Sequence, residues 1–346
     1  MKIVVLGGGI SPERQVSLET SEAVLSALRE NGHKAIFVDM FLGLDMVSEA
    51  LFDAEDGLLG HLHRSISASV RELQDAYEAG GESSVGKGVL EICRLADFVF
   101  LALHGEDGED GKIQGTLDLL GIPYNGSGTM GSAMAMDKAI TRQIMGLCGI
   151  STAPLVSDPP CVVKLVHGGS SIGLQICDTD GELEDALSRI RGYKDEYIIE
   201  RKLEGTEVSV GVLDGRPLPP IEAIPPKGRA LDYEAKYTTG ENAMTVICPA
   251  RISAGLTGEV QELAVRIHKA LRLSGYSRTD FIIDREGKIW GLEVNTLSGF
   301  TKTSFIPLAA SRAGISFSRL CETLIAAGIR RSREQKKIIV SEMAGE

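Results

Sequence analysis

The sequence predicts an α/β protein: an open parallel α/β domain at the N-terminus, followed by two smaller mixed α+β subdomains. Three observations carry this expectation. The first third alternates buried strand patterns with helical periodicity. From Cys161 onward the apolar runs become short strands. Near the C-terminus two β-rich runs flank the turn residues DREGK. The expected divisions are residues 1–125, 126–210 and 211–346.

Residues 2–6 (KIVVL) have the pattern of a buried strand. A glycine turn follows, then a helix from about Val16 to Asn31, with Gly32 as its stop signal. KAIFVDM, from Lys34, is a second strand. DFVFLAL, from Asp97, is another and runs into HGEDGEDG. In an open parallel sheet, ligands bind at the carboxyl ends of the strands. Residues 42–90 break this rhythm. They are polar, with GG and SS punctuation and one expected helix around Ser67–Ala79, and are expected to be an insertion or lid-like excursion outside the core. A helix is expected over Thr129–Leu147; it holds four of the nine Met, and Met at these spacings fills cores. CVVKL, GLQIC, EYIIERKL and EVSVGVL then suggest a small mixed sheet, with a helix at about Asp180–Arg191. Residues 225–250 lack periodicity apart from MTVIC, and polar loops this long are functional or disordered. A helix over Thr257–Leu273, a hairpin and a last helix near Phe317–Ala327 complete the chain, with the basic IRRSREQKK expected to be solvated and frayed.

Composition narrows the function classes. The 346 residues are 43% hydrophobic and 24% charged, as in an ordinary globular protein, and the 40 Gly follow no collagen period. Lys and Arg number 36 against 48 Asp and Glu, a net charge of −12. That argues against nucleic acid and anionic membranes as partners, while leaving room for a local phosphate site. No stretch reaches the length of a membrane span, and MKIVVLGGG is too short for a signal-peptide core. Six Cys without a C-x-x-C pair suit reduced thiols in a cytoplasmic protein.

The strongest chemical signal is YSRTDFIIDREGKIWGLEVN, residues 276–295. A two-residue loop at Glu286-Gly287 would set Asp280 opposite Glu293 and Arg278 opposite Asn295, all on one face. A loop one residue longer would flip a strand. Facing carboxylates repel, so solvent, protonation or a cation must offset them. Asp, Glu and Asn offer only oxygen ligands, which suit Mg²⁺ rather than Zn²⁺. The alternative is a solvated polar face.

VVKLVHGGSSIGL, from Val162, is a strand, a Lys and a small-residue loop. Gly168, Gly169, Ser170 and Ser171 would let backbone N–H groups approach an anion, with the Lys164 charge beside it. The Lys precedes the glycines, so this is not a Walker loop, and a plain hairpin turn is the alternative. At the N-terminus, Gly7 and Gly9 fit G-x-G-x-x-G, but Pro12 stands where its third glycine belongs. Glu13 enters the helix, where an acidic residue also serves the macrodipole. HGEDGEDG can equally be a tight surface turn.

The order of these motifs resembles the ATP-grasp ligases and, more closely, the D-alanine–D-alanine ligase family. The matching stretches are GGGISPERQVSL (7–18), the run from HGEDGEDG to NGSG (104–128), MDK (136–138), VVK (162–164), GGSSIG (168–173), IIERKLEGTEVSV (198–210), DYEAKY (232–237), CPA (248–250), RTDF (278–281) and LEVNTLSGFT (292–301). They cover nearly the whole chain outside residues 42–90 and the tail. The resemblance implies an ATP-grasp fold with ATP held between the two later subdomains and a lid at about 225–250. It implies a cytoplasmic enzyme that joins two D-alanine molecules through an acyl phosphate for peptidoglycan synthesis, with ATP and two Mg²⁺, replaceable by Mn²⁺. A homodimer through the N-terminal domain follows from the resemblance alone.

Carried over residue by residue, the resemblance gives Lys138 and Lys164 to the ATP phosphates beneath the loop of Gly169 and Ser171. Glu200, Arg201 and Leu203 line the adenine pocket, Glu207 holds the ribose, and Lys236 reaches the phosphates from the lid. Asp280, Glu293 and Asn295 bind the metal ions. Glu13 holds the amino group of the first D-alanine, in a cluster with Ser170 and Tyr237, and His104 lies near that substrate. Arg278 and the Gly299 N–H stabilise the oxyanion, and Ser304 and Phe305 lie where the second D-alanine docks.

Leu165 stands where the family commonly has Pro, and Arg201 where Lys is common. Ser298 replaces a Pro, Phe300 a Met or Leu, and Phe305 a Leu; these three bear on the second substrate. Tyr237, where depsipeptide-forming relatives carry His, favours an amine nucleophile. The rival expectations are a ligase with a different second amino acid or hydroxy acid, a catalytically silent nucleotide-binding relative, and a nicotinamide oxidoreductase, which Pro12 opposes.

Overall fold

The computed structural model describes the chain except residues 79–82, 170–172, 194, 227–243 and 345–346, and only the backbone over 338–344. In chain order the described elements are β1 (Lys2–Gly7), α1 (Arg14–Glu30), β2 (Lys34–Asp39), α2 (Leu59–Ser67), α3 (Val70–Glu78), α4 (Val89–Leu95), β3 (Phe98–Leu101), α5 (Lys112–Leu119), α6 (Thr129–Met136), α7 (Lys138–Leu147), β4 (Ser151–Thr152), β5 (Cys161–Leu165), β6 (Gln175–Cys177), α8 (Asp180–Ile190), β7 (Tyr197–Arg201), β8 (Thr206–Leu213), β9 (Arg216–Pro217), β10 (Ile221–Ile224), β11 (Thr245–Ile247), α9 (Ala254–Ala270), β12 (Tyr276–Ile283), β13 (Ile289–Asn295), α10 (Phe305–Arg312) and α11 (Phe317–Ala344). They form two compact units. One comprises residues 1–132, 273–276 and 296–346; the other comprises 133–272 and 277–295. Residues 296–346, grouped by sequence with the C-terminal subdomain, therefore pack in the first unit, where α11 lies against α1 and β3.

The first unit holds a parallel sheet of order β2-β1-β3. Ile3, Val4, Val5 and Leu6 of the central strand are fully buried, because α-helical connections cover both faces. The 42–90 segment is not an excursion outside the core. Phe52, Leu62, Leu73 and Val89 are buried, and α2 packs on β2. Arg14 joins these parts. Its guanidinium contacts Asp39 at 2.6 Å and donates to the carbonyls of Gly9 (2.6 Å) and Ser65 (3.0 Å). The basic tail also departs from expectation. α11 continues through it, and Arg331 stacks on the Tyr124 ring at 3.9 Å and donates to the Gly126 carbonyl.

The second unit contains two sheets. The antiparallel sheet β6-β5-β7 packs against α8 through Cys161, Val163, Leu165, Cys177, Leu183, Ala186 and Ile190. Thr179 and Glu182 start α8 with a capping box, each side chain bonding the other residue's backbone N–H. The larger sheet runs β11-β10-β8-β12-β13-β4, with β9 on β8. The single helix expected over 129–147 is broken at Asp137. Its carboxylate accepts the Ile140 N–H at 2.9 Å and caps α7, and the Lys138 N–H donates to the Val166 carbonyl at 3.1 Å. A side-chain acceptor thus restarts the helix and ties Lys138 to the strand-loop after β5.

His268 of α9 is buried and meets the Ser277 hydroxyl at 2.8 Å. Burial pushes its imidazole down to about 4. The neutral ring contributes stability that is full above the ordinary imidazole value near 6.5 and is lost as pH falls toward about 4. We expect about 3 kcal/mol of stability to disappear across that window. Denaturant unfolding of wild type and His268→Gln at several pH values checks this: the variant should lack that part of the pH dependence.

Candidate active site

A cavity of about 420 Å³ lies in the second unit and draws on both of its sheets. Lys138 enters from the first turn of α7, Lys164 from β5, Glu200 and Arg201 from β7, Leu203 from the following turn and Glu207 from β8. Asp280 and Glu293 enter from β12 and β13. Val162, Ile176, Ile282 and Leu292 supply apolar walls. A pocket with apolar walls and a few convergent charges is the usual form of a small-molecule site.

The lysines are held differently. Lys138 donates to the Gly168 carbonyl. Burial pushes its pKa below the ordinary amine value, Lys164 adds to that, and Glu293 opposes it. Lys164 lies 2.5 Å from Glu200, a carboxylate only 3% exposed, and Arg142 bonds the other oxygen of that carboxylate. Glu222 and Arg251 close another part of the wall, with guanidinium contacts of 2.7 and 3.0 Å that pull the Glu222 pKa down.

In the hairpin, Asp280 pairs with Glu293 and Arg278 with Asn295, as expected. The route differs. The loop is one residue longer than expected: Asp284 N–H donates to the Lys288 carbonyl and Gly287 N–H to the Asp284 carbonyl. Gly287 takes φ +82°, which a side chain there would resist. Ile283 accordingly pairs with Ile289 and Phe281 with Gly291. A bulge then leaves Leu292 as the extra residue, and Asp280 meets Glu293. The bulge cancels the flip that the longer loop would impose. Asp280 is 4% exposed and accepts from Ser209 Oγ (2.6 Å), from Arg278 Nε (2.8 Å) and from another guanidinium nitrogen (2.8 Å). Asn295 Nδ2 lies 3.4 Å from the same carboxylate.

Another group of expected residues lies in the first unit. Glu13 is buried where α1 begins, and Gly105, at φ +71°, brings backbone so close that a Cβ would meet Glu13 Oε2 at 2.7 Å. His104 is buried as well. Its Nδ1 faces the Leu297 carbonyl at 2.5 Å and must donate, so Nε2 accepts from the Thr20 hydroxyl at 3.0 Å. Burial lowers its pKa despite Glu13. A neutral ring with both nitrogens engaged positions a loop rather than carrying protons. Thr20 Oγ1 in turn accepts the Phe300 N–H at 3.3 Å, and Glu109 accepts the Leu297 N–H at 3.0 Å. The loop of Gly299 is thereby held at three points. Ser304 starts α10, accepts the Thr301 N–H at 3.1 Å and lies beside Gly299; Phe305 follows, half-buried.

Ser170, Ser171, Lys236 and Tyr237 lie outside the described residues. Gly168, rather than Gly169, lines the cavity. In HGEDGEDG, Glu106, Asp107 and Asp110 cluster at the surface around the Lys112 amine at 2.8–3.1 Å, while His104 and Glu109 turn inward. Sequence analysis missed Arg142, Ser209, Glu222, Arg251, Thr20 and Glu109 as supports. Arg142 alone carried a signal, its spacing of four from Lys138 on one helix face.

The chain matches two family descriptions, "D-ala D-ala ligase N-terminus" over residues 2–127 and "D-ala D-ala ligase C-terminus" over 155–326. It is 39% identical over 345 residues to a D-alanine–D-alanine ligase of Pediococcus pentosaceus, covering 94% of this chain and 97% of that one. Among solved structures it resembles the D-alanine–D-alanine ligase of Bacillus anthracis, with 30% identity, a TM-score of 0.73 and coverage of 97% and 99%. The ATP complex of that enzyme matches at 28% identity, a TM-score of 0.70 and the same coverage. The fold and cavity define a ligase of ATP-grasp architecture. The chain belongs to the D-alanine–D-alanine ligase family. Among the described residues, no helix is long and apolar enough to cross a membrane.

Of the three departures expected to bear on the second substrate, Phe300 sits in an aromatic core. It is 1% exposed, with ring centroids 5.4 Å from Tyr276, 5.5 Å from Phe317 and 6.2 Å from Phe100. Phe300→Leu should cost about 1–2 kcal/mol of stability. Thermal unfolding with competition between D-amino acids checks this: stability should fall while the product ratio stays unchanged.

Proposed function

We propose that this chain joins two D-alanine molecules into D-alanyl-D-alanine, converting ATP to ADP and phosphate, and so supplies a peptidoglycan precursor. The observation that carries the proposal is the second-unit cavity, where two lysines, a buried carboxylate and the facing pair Asp280–Glu293 converge.

A carboxylate is a poor electrophile, because its charge repels nucleophiles and oxide does not leave. In the proposed reaction one carboxylate oxygen of the first D-alanine attacks the γ-phosphorus. The bond to the bridging oxygen breaks and its electron pair stays on ADP. Lys138 and Lys164 spread charge on the phosphates, and Lys236 joins them from the lid. Apolar walls and Glu200 take the base, with Arg201 and Leu203 beside it and Glu207 on the ribose. Glu13 accepts hydrogen bonds from the ammonium of the first substrate, with Ser170 and Tyr237 in its cluster. The neutral amine of the second D-alanine, docked near Ser304 and Phe305, attacks the acyl carbon. Arg278 and the Gly299 N–H stabilise the oxyanion, phosphate leaves, and the nitrogen loses its proton.

The oxygen donors Asp280, Glu293 and Asn295 fit magnesium, and the close pairing of two carboxylates in one cavity is a cost that a divalent ion removes. Bound there, magnesium would neutralise phosphate charge. Arg278 holds both oxygens of Asp280 and would yield one of them to the ion.

Incubation with ATP, Mg²⁺ and D-alanine should give D-alanyl-D-alanine by mass spectrometry, in preference to mixed products when D-serine or D-lactate competes. A dominant mixed product would replace the second substrate in this proposal. Glu293→Gln should lower turnover by at least a hundredfold while unfolding like wild type. Wild-type rates in that variant would remove the metal assignment.

A further inference from the structure

Arg142 is a partly buried cation of the second unit to which the proposed chemistry gives no part. It lies on α7, four residues after Lys138, and its side chain is 14% exposed. One guanidinium nitrogen bonds Glu200 Oε1, and the other donates to the Ala153 carbonyl at 2.7 Å. Lys164 Nζ holds Glu200 Oε2 at 2.5 Å. One buried carboxylate therefore carries two cations, one on each oxygen.

The two cations are not equivalent. Lys164 lines the cavity and is a point charge on a flexible stem. Arg142 does not line it, and two separate acceptors fix its planar fork. A carboxylate so deeply buried tolerates the loss of one counter-ion only if another remains. Lys164 is thus the cation that can leave, and Arg142 is the one that makes its leaving cheap.

We propose that Arg142 is a positioning residue that keeps Glu200 neutralised while Lys164 exchanges from that carboxylate to a phosphate oxygen of the entering nucleotide. The proposal rests on the nucleotide reading of the cavity. No proton moves and no bond to carbon or phosphorus changes. Before exchange, Lys164 and Arg142 share Glu200. After it, Arg142 holds Oε1, Lys164 meets the phosphate, and Oε2 is left to accept from an amino group on the base. Without Arg142, Lys164 would be the remaining cation on Glu200, and the nucleotide would have to compete with a buried ion pair for it.

The test measures ATP dissociation constants by calorimetry with Mg²⁺ present, together with the KM for D-alanine. Arg142→Met should weaken ATP at least tenfold and change the KM for D-alanine less than twofold. Arg142→Lys, which keeps the charge, should recover most of the loss. In a Glu200→Gln background the carboxamide needs no counter-ion, so adding Arg142→Met should cost less than twofold. Should Arg142→Met fail to fold by circular dichroism, Arg142→Gln, which can still donate to Ala153, takes its place. Wild-type ATP affinity in the variant overturns the role of Arg142. So does a tenfold loss that persists in the Glu200→Gln background, which marks Arg142 as support for the fold. Failure of the wild-type protein to bind ATP would instead overturn the nucleotide reading itself.

Discussion

Two carboxylates that face each other across paired strands repel, and the second unit sets cations beside them. Asp280 and Glu293 share a cavity wall because a bulge at Leu292 brings them opposite each other. Arg278 and the Ser209 hydroxyl satisfy Asp280, and Lys138 feels the field of Glu293. The lysine amines, held by a carbonyl and by a buried glutamate, supply opposite charge within the same small volume. A cavity that gathers acids and bases in this way offers opposite charge to both an anionic ligand and its cation.

The second theme is the anchoring of site loops and side chains by polar groups shielded from solvent. His104 and Thr20 tie the backbone at Leu297 and Phe300, and Glu109 takes the Leu297 N–H. Arg14 locks the glycine turn before Glu13 to β2 and to the 42–90 segment. Arg142 neutralises Glu200 from behind. Each is a polar group shielded from solvent whose partners are backbone groups, a neighbouring side chain or a single carboxylate. Such groups are costly when left unpaired and rigid when satisfied.

Much of the fold was legible in local pattern. The buried strand at residues 2–7, the alternation after it and the short strands from Cys161 follow from periodicity, and the hairpin that carries the carboxylate pair follows from its turn residues. Three features were not legible for stated reasons. Asp137 breaks a helix whose apolar pattern is continuous, because one side-chain acceptor restarts the hydrogen bonding. The tail past Ala327 stays helical because Arg331 finds Tyr124, far away in sequence. The 42–90 segment is polar on average, yet single apolar residues such as Phe52 and Leu62 bury fully against β2 and its surroundings.

The sequence by itself determined which residue types alternate, where chains turn and which motifs mark the family, since these depend on neighbours a few residues apart. Tertiary structure decided the rest. The hairpin register shows the division: the turn residues were visible, but the loop was one residue longer than expected, and the bulge that compensates has no local signature. With it in place, Leu292, Asp280 and Glu293 all line the cavity. The return of residues 296–346 to the first unit and the pairing of Arg142 with Glu200 likewise depend on contacts between distant segments, which periodicity cannot encode.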